Sequence, residues 1–405
     1  MSSLKKNFLK IFTGSLSGQI IAVLFLPILS RIITPDVLGQ YSISIILIMI
    51  LSPLCCLKLD QALLASNEKD KHNILFSAIY ISGIISLIIF FLSILIFYSF
   101  NFLYLEWYIY TILSLYTFTI SQLTVSYSLS TGNFNTAVKH RFVRTVLCLF
   151  LQILISYYIS ATSNSLLIAY SVSNVISFIF FNNIHITSFL NYFSLREINL
   201  IIKEKKNFTY YQTISEIFSM SSQYIVNLSM TIFSTAAIVG IYSMTTRTMQ
   251  APITLITSSV KEAFYYKIKR FQNKKSIRKE LIKISIILLI PSLIISILIF
   301  KHLPFLFGFI FGNQWIESGV YAQILLPWFI LLFINQPYSA TANVIGIQNK
   351  ILFLDIFSFF IRSVSIIISW ILFDNIYTTL LIFSLTGILL NLWLIILVYK
   401  NCLED

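Results

Sequence analysis

An all-α polytopic membrane protein with about twelve transmembrane helices is the fold class this sequence predicts, and three observations predict it. Of 405 residues, 57% are hydrophobic and only 11% charged, and a mean hydropathy of +0.86 leaves too little polar surface for a water-soluble globule. Apolar runs of roughly 20 residues, the length a helix needs to cross about 30 Å of hydrocarbon, recur from one end of the chain to the other. Lysine and arginine, finally, fall almost wholly on one side of the map those runs define.

The runs cover approximately residues 9–33, 38–58, 74–98, 108–130, 143–161 and 165–186 in the first half. In the second half they cover 208–233, 237–260, 284–303, 320–341, 351–372 and 377–399. The opening MSSLKKNFLK is basic, but no small-residue cleavage site closes a short apolar core before Arg31, so it reads as a retained first helix. With the N-terminus in the cytoplasm, all but four of the 28 basic residues lie at the N-terminus, in the even-to-odd loops or at the C-terminus. The exceptions are Arg31 and Lys301 on the opposite side and Arg247 and Arg362 within spans. A span too many or too few would scramble this segregation, so both termini are placed in the cytoplasm. The formal charge of +13 is then topology rather than affinity for nucleic acid.

The opposite loops are short and carry Asp36, Glu106, Glu317 and Asp374, which leaves no room for an external catalytic domain. Segment 187–207 spaces Leu190, Phe193, Ile198, Ile201 and Ile202 by one to five residues, with Arg196, Lys203 and Lys205 between them, predicting an amphipathic helix in the membrane interface. It joins a six-helix lobe, residues 1–190, through a linker, 191–207, to a second lobe, 208–405. The basic stretch 261–283 is read as the other large cytoplasmic loop, a topology determinant that attracts anionic lipid.

No cofactor or metal is expected. Cys55, Cys56, Cys148 and Cys402 lie in or beside apolar runs without ligand spacing, and adjacent Cys55 and Cys56 are poor disulfide partners. His72, His140, His185 and His302 are scattered near span ends as solvated or capping residues. No nucleophile motif, paired carboxylates or glycine-rich phosphate loop occurs, so the chain reads as something other than an enzyme.

A pattern of Thr, four residues, Gly, one residue, Tyr and Ser occurs twice, from Thr34 through Gly39 to Tyr41 and Ser42, and from Thr235 through Gly240 to Tyr242 and Ser243. Six crossings separate the copies, which implies parallel duplication of a six-helix lobe. Gly39 and Gly240 are expected to punctuate the connection between spans. Gly132 and Gly346 make a second pairing, each ending a span at the cytoplasmic side.

Ionisable groups inside a bilayer cost a few kcal/mol or more, so they are functional candidates by default. Arg247 and Arg362 lie mid-span, Glu216 about two turns into the seventh span, and Asp355 one turn into the eleventh. Asp355 and Arg362, seven residues apart, share one helical face. Arg31 sits nearer the outer interface, where it can snorkel. Two readings stand: a structural ion pair such as Arg247 with Glu216, or a wet cationic cavity for an anionic substrate, in which the arginine fork suits phosphate oxygens. Gly14 and Gly18 suit close helix packing, and Pro27, Pro53, Pro252, Pro291 and Pro327 are candidate bends.

The stretch LPILSRIITPDVLGQYSISI (26–45) resembles the first-helix signature of Wzx-type O-antigen and polysaccharide flippases, and VGIYSMTTRTMQAP (239–252) is similar to their eighth-helix segment. These belong to the superfamily that also holds multidrug extruders and lipid II flippases. The resemblance implies a V-shaped pair of six-helix lobes around a central cavity in the bacterial inner membrane. It implies flipping of an undecaprenyl-diphosphate-linked oligosaccharide by alternating access, with Arg31 and Arg247 as cavity cations; Arg362 is added to them by its mid-span position. A polysaccharide polymerase and a chain-length regulator are the implied protein partners, beside membrane lipids. Where family members often carry Asp-Arg in the seventh helix this chain reads Ser222-Gln223-Tyr224, so any coupling role falls to Glu216. The alternatives are multidrug efflux, whose cationic cargo the arginines would repel, and a polymerase or ligase, which would need a large external loop.

Overall fold

The computed structural model describes residues 18–66, 70–100, 105–181, 195–268, 274–345 and 347–402. Each apolar run of the sequence is helical there, and no strand occurs among the described residues; the first run before Gly18 lies outside them. In chain order the helices are α1 (Gly18–Ile32), α2 (Pro35–Cys56), α3 (Leu59–Ala65), α4 (Lys71–Phe100), α5 (Leu105–Ser130), α6 (Phe134–Tyr158), α7 (Ser163–Phe181) and α8 (Leu195–Glu204). A π-helical turn at Asn207–Gln212 leads into α9 (Thr213–Phe233), followed by α10 (Ala236–Ile268), α11 (Lys274–Phe300) and α12 (Leu303–Phe311). The chain ends with α13 (Ile316–Ile334), α14 (Gln336–Ile345), α15 (Gln348–Phe373) and α16 (Ile376–Asn401).

Seven stretches, in α2, α4, α7, α11, α13–α14, α15 and α16, are long and apolar enough to cross a membrane by composition alone. Helices α5, α6, α9 and α10 have the length, at 26, 25, 21 and 33 residues, but are more polar. A polar helix can lie at membrane depth when its polar face is turned to protein, and α5 does this with buried Thr111, Ser114, Thr117, Thr119, Ser121, Thr124 and Ser128.

Helix starts explain the acidic side of the charge map. Asp36, Glu106 and Glu317 each sit in the first turn of a helix, α2, α5 and α13, where the positive end of the helix dipole favours a carboxylate. Pro35 opens α2 at a position where its missing N–H costs nothing. Asn375 caps α16 by accepting from the Tyr377 amide at 2.9 Å. Gly132, at φ 76°, makes the turn from α5 to α6.

The described residues divide into two compact units, one ending at Met220 and one beginning at Ser221, within α9. In the first, α5 packs against α2, α4 and α7, and α6 against α7. In the second, α13 packs against α10, α11 and α16, and α15 against α16. Counted by span, these are the same pairings in the same order. The repeat reaches the hydrogen bonds: Ser44 and Thr111 pair through their hydroxyls at 3.0 Å between α2 and α5. Thr245, as far beyond Ser44 as Tyr242 is beyond Tyr41, donates to the Ser318 carbonyl at 2.8 Å between α10 and α13.

Four expectations are corrected. Gly240 lies buried inside α10 rather than in a turn, and Gly39 lies buried in the second turn of α2, the helix that Pro35 opens; the connections are made by the residues just before those helices. The stretch 261–283 is not a large loop, because α10 continues to Ile268 and α11 begins at Lys274. Its apolar residues Phe264, Ile268, Ile277 and Leu281 are buried in one cluster with Tyr338, Val398 and Cys402, which extends both helices past the apolar run. The interfacial helix exists as α8, but Ile198 and Ile201 pack on Leu59, Ala62, Leu63, Ile74 and Leu75 of α3 and α4, so protein covers that face; Leu190 and Phe193 lie outside the described residues. His140 is 1% exposed, not solvated, because the first turns of α6 are packed.

Candidate functional site

The second unit places two of the three predicted arginines. Arg362 lies midway along α15, its guanidinium 5.3 Å from the centre of the Phe383 ring on α16, and its Nε is buried without a hydrogen-bond partner. Its electrostatic neighbours are Tyr242 of α10 and Asp355 of its own helix. Tyr242 is buried at 2% exposure, whereas Asp355 is exposed, about 10 Å away along the helix at 1.5 Å per residue. The two therefore line one face without forming an ion pair. Arg247 is half-buried in α10 and has Tyr224 of α9 as an electrostatic neighbour. On the same side Asn227 donates to the Ser243 hydroxyl at 3.3 Å, tying α9 to α10.

The repeated tyrosine organises both units. In the first, Gln152 of α6 donates to the Tyr41 hydroxyl at 2.9 Å; in the second, the corresponding helix α15 presents Arg362 to Tyr242. One position of the duplicated lobe thus carries a neutral amide in one copy and a cation in the other. A half-buried guanidinium whose Nε–H is buried and unsatisfied is costly unless an anion completes it, and a phosphate offers the oxygens its fork would take.

In the first unit Arg31 is exposed near the end of α1. Glu216 is not the partner of Arg247; it pairs with Lys58 at 3.6 Å. Leu57 and Lys58 adopt φ of 47° and 51°, a left-handed corner between α2 and α3 that turns the Lys58 side chain inward, where it is 10% exposed. The π-helical turn before α9 packs on α3, which brings the first turn of α9 to that corner. Sequence reading assigned Lys58 to a loop because two left-handed non-glycine residues leave no sequence mark. Reversing one charge, K58E, is expected to lower the melting temperature in detergent by the equivalent of about 1–2 kcal/mol, and the swap K58E/E216K to restore most of it. A swap no better than K58E would mean that the pair carries no net interaction.

A family model described as polysaccharide biosynthesis protein matches residues 28–320. The chain belongs to that family. The matched span runs from α1 into α13 and so takes in Arg31, Lys58, Glu216 and Arg247. Among solved structures, a lipid II flippase MurJ in an inward-closed conformation matches with a TM-score of 0.74 at 16% identity, covering 97% of this chain and 89% of that one. A transporter of the MOP superfamily from Pyrococcus furiosus matches with a TM-score of 0.62 at 14% identity, covering 99% and 97%. The Vibrio cholerae MATE transporter VcmN in its bent form gives 0.59 at 15%, covering 100% and 98%. This member of the polysaccharide biosynthesis family is therefore a multi-pass membrane protein with the fold of MOP superfamily transporters. Comparison with curated proteins gives no match.

Proposed function

We propose that the protein is a flippase that moves an undecaprenyl-diphosphate-linked oligosaccharide, an O-antigen-type repeat unit, from the cytoplasmic to the periplasmic leaflet of a bacterial inner membrane by alternating access. It acts as a carrier rather than an enzyme, with both termini cytoplasmic, and delivers its cargo to a polymerase and its chain-length regulator. The observation that carries this reading is Arg362, a cation midway along an apolar 26-residue helix with a buried N–H that no protein group satisfies. A mid-depth guanidinium in a family of polysaccharide biosynthesis proteins suits a diphosphate far better than it suits an amphipathic cation. Arg247, on a neighbouring span of the same unit, adds a second positive charge to that preference.

Purified protein reconstituted into liposomes with undecaprenyl-diphosphate oligosaccharide in one leaflet tests this directly. The oligosaccharide is expected to become accessible to an external glycosidase at a rate set by protein content, and deletion of the gene to abolish surface glycan. Unchanged glycosidase access, together with uptake of a cationic dye by the same liposomes, would establish multidrug efflux instead and overturn the proposal.

A further inference from the structure

The first unit contains a second pair of arginines that topology alone had seemed to explain. Arg141 and Arg144 lie two and three turns into α6, and both are half-buried rather than extended into solvent. Arg144 points into the bundle: its Nη1 donates to the Ser121 hydroxyl of α5 at 3.2 Å, and its guanidinium stands 5.7 Å from the centre of the Phe118 ring. Arg141 is its electrostatic neighbour, and both act on buried His140. Among the described residues neither arginine stands in an ion pair: the polar partner of Arg144 is the Ser121 hydroxyl and its ring contact is Phe118. Two like charges one turn apart on a partly desolvated helix repel each other, and an anion bound between them relieves that repulsion.

The surroundings fit a ligand that enters from the basic end and moves inward. Arg141, Arg144, Cys148 and Gln152 follow one face of α6 at helical spacing, and Gln152 ends that face in its hydrogen bond to Tyr41. From Arg144 to Gln152 the rise is about 12 Å, so one polar track leads from the paired cations to the repeated tyrosine. Gly18 of α1 lies against Thr145, with an added Cβ still 3.8 Å from its hydroxyl oxygen, so α1 closes the neighbouring side of α6.

We propose that Arg141 and Arg144 form a phosphate-binding site within the first unit that takes the diphosphate head of the lipid-linked cargo. The site rests on the flippase reading for its ligand, but its existence as an anion site rests on its own geometry. Phosphate oxygens are the shared chemistry of that cargo and of ordinary anionic phospholipids, and the test separates the two.

Undecaprenyl diphosphate without sugars, phosphatidylglycerol and inorganic phosphate are titrated against detergent-solubilised full-length protein, wild type and R141A/R144A, and binding is read by native mass spectrometry. The double variant is expected to lose about a hundredfold in affinity for undecaprenyl diphosphate and little for phosphatidylglycerol, consistent with the loss of two charge-assisted contacts. R144K, which keeps the charge and the helix propensity, is expected to lose about tenfold because the fork is gone, and it serves as the folded control. Undiminished diphosphate binding in R141A/R144A overturns the site without touching the flippase reading, and an equal loss for phosphatidylglycerol overturns the assignment of the cargo to it.

Discussion

The R362A variant is expected to lose translocation by about a hundredfold or more while melting no lower than the parent. A bidentate contact between a guanidinium and a phosphate comprises two charge-assisted hydrogen bonds, each worth about 1.5–3 kcal/mol. Their loss together amounts to about 3–6 kcal/mol, or about two to four decades in rate or affinity at about 1.4 kcal/mol per decade. Stability should respond in the opposite sense. Arg362 keeps a buried N–H unsatisfied, and its neighbours are the Phe383 ring, the buried Tyr242 phenol and the exposed, distant Asp355, none of which forms an ion pair with it. Removing an incompletely paired buried charge commonly leaves a protein as stable or more so, so R362L should melt at or above the wild-type temperature in detergent. A structural arginine would behave differently, with activity and melting temperature falling together. R362K separates charge from shape: the ammonium retains attraction for a diphosphate but not the two-pronged geometry, and an intermediate rate, about tenfold down, is expected. Wild-type glycan output from R362A would remove this side chain from any part in the transport step.

Much of this fold was legible because a bilayer imposes rules that composition obeys. Apolar runs located the long helices α2, α4–α7, α9–α11, α13, α15 and α16, α6 among them despite its Lys139, Arg141 and Arg144. The Thr-Gly-Tyr-Ser repeat was legible as well, and its tyrosines proved to be the positions that meet Gln152 and Arg362. What escaped was whatever depends on contact rather than on periodicity. Helix α12 had no separate signal, since LPFLFGFIF continues the apolar run before it, and only packing shows Phe307 and Phe311 buried while Phe305 and Phe309 are exposed. The Lys58–Glu216 pair depends on a left-handed corner that no residue preference announces. Arg144 was counted as a topology signal because charge counting treats every cation at a span end alike; its hydrogen bond to Ser121 distinguishes it. The polar stripe of α5 could have raised suspicion, since seven buried hydroxyls on one membrane helix mark a face turned to protein, although Thr117, Thr119 and Thr124 donate to carbonyls of their own helix.

The second large effect concerns stability and sits where α12 meets α13. Gly319→Ala is expected to destabilise the protein by about 3 kcal/mol, at the upper end of overpacking costs, with a clear drop in melting temperature and in folded yield from membranes. A Cβ at Gly319 would lie 2.4 Å from Pro304 Cα and 2.7 Å from both Pro304 N and the Leu303 carbonyl oxygen. These are backbone atoms, so no rotamer change can make room, and one of the two helices must move. Movement of α13 is resisted from its other side. Ser318 donates to the Ile241 carbonyl at 3.0 Å, and its own carbonyl accepts from Thr245 at 2.8 Å, which fixes α13 to α10 beside the glycine. Relief of the clash therefore breaks buried hydrogen bonds, each worth about 1 kcal/mol and more when a partner is left unsatisfied. Gly18→Ala supplies the contrast within one protein: its Cβ would meet only Thr145 side-chain atoms at 3.8 and 3.9 Å, an ordinary contact. The gain in helix propensity, about 0.5–1 kcal/mol, should then leave that variant as stable as the parent or more so. Thermal melts of the two variants that coincide would mean that α12 does not cross α13 at Gly319, whereas a drop confined to Gly319→Ala follows from the backbone contact and from nothing in the composition of the helices.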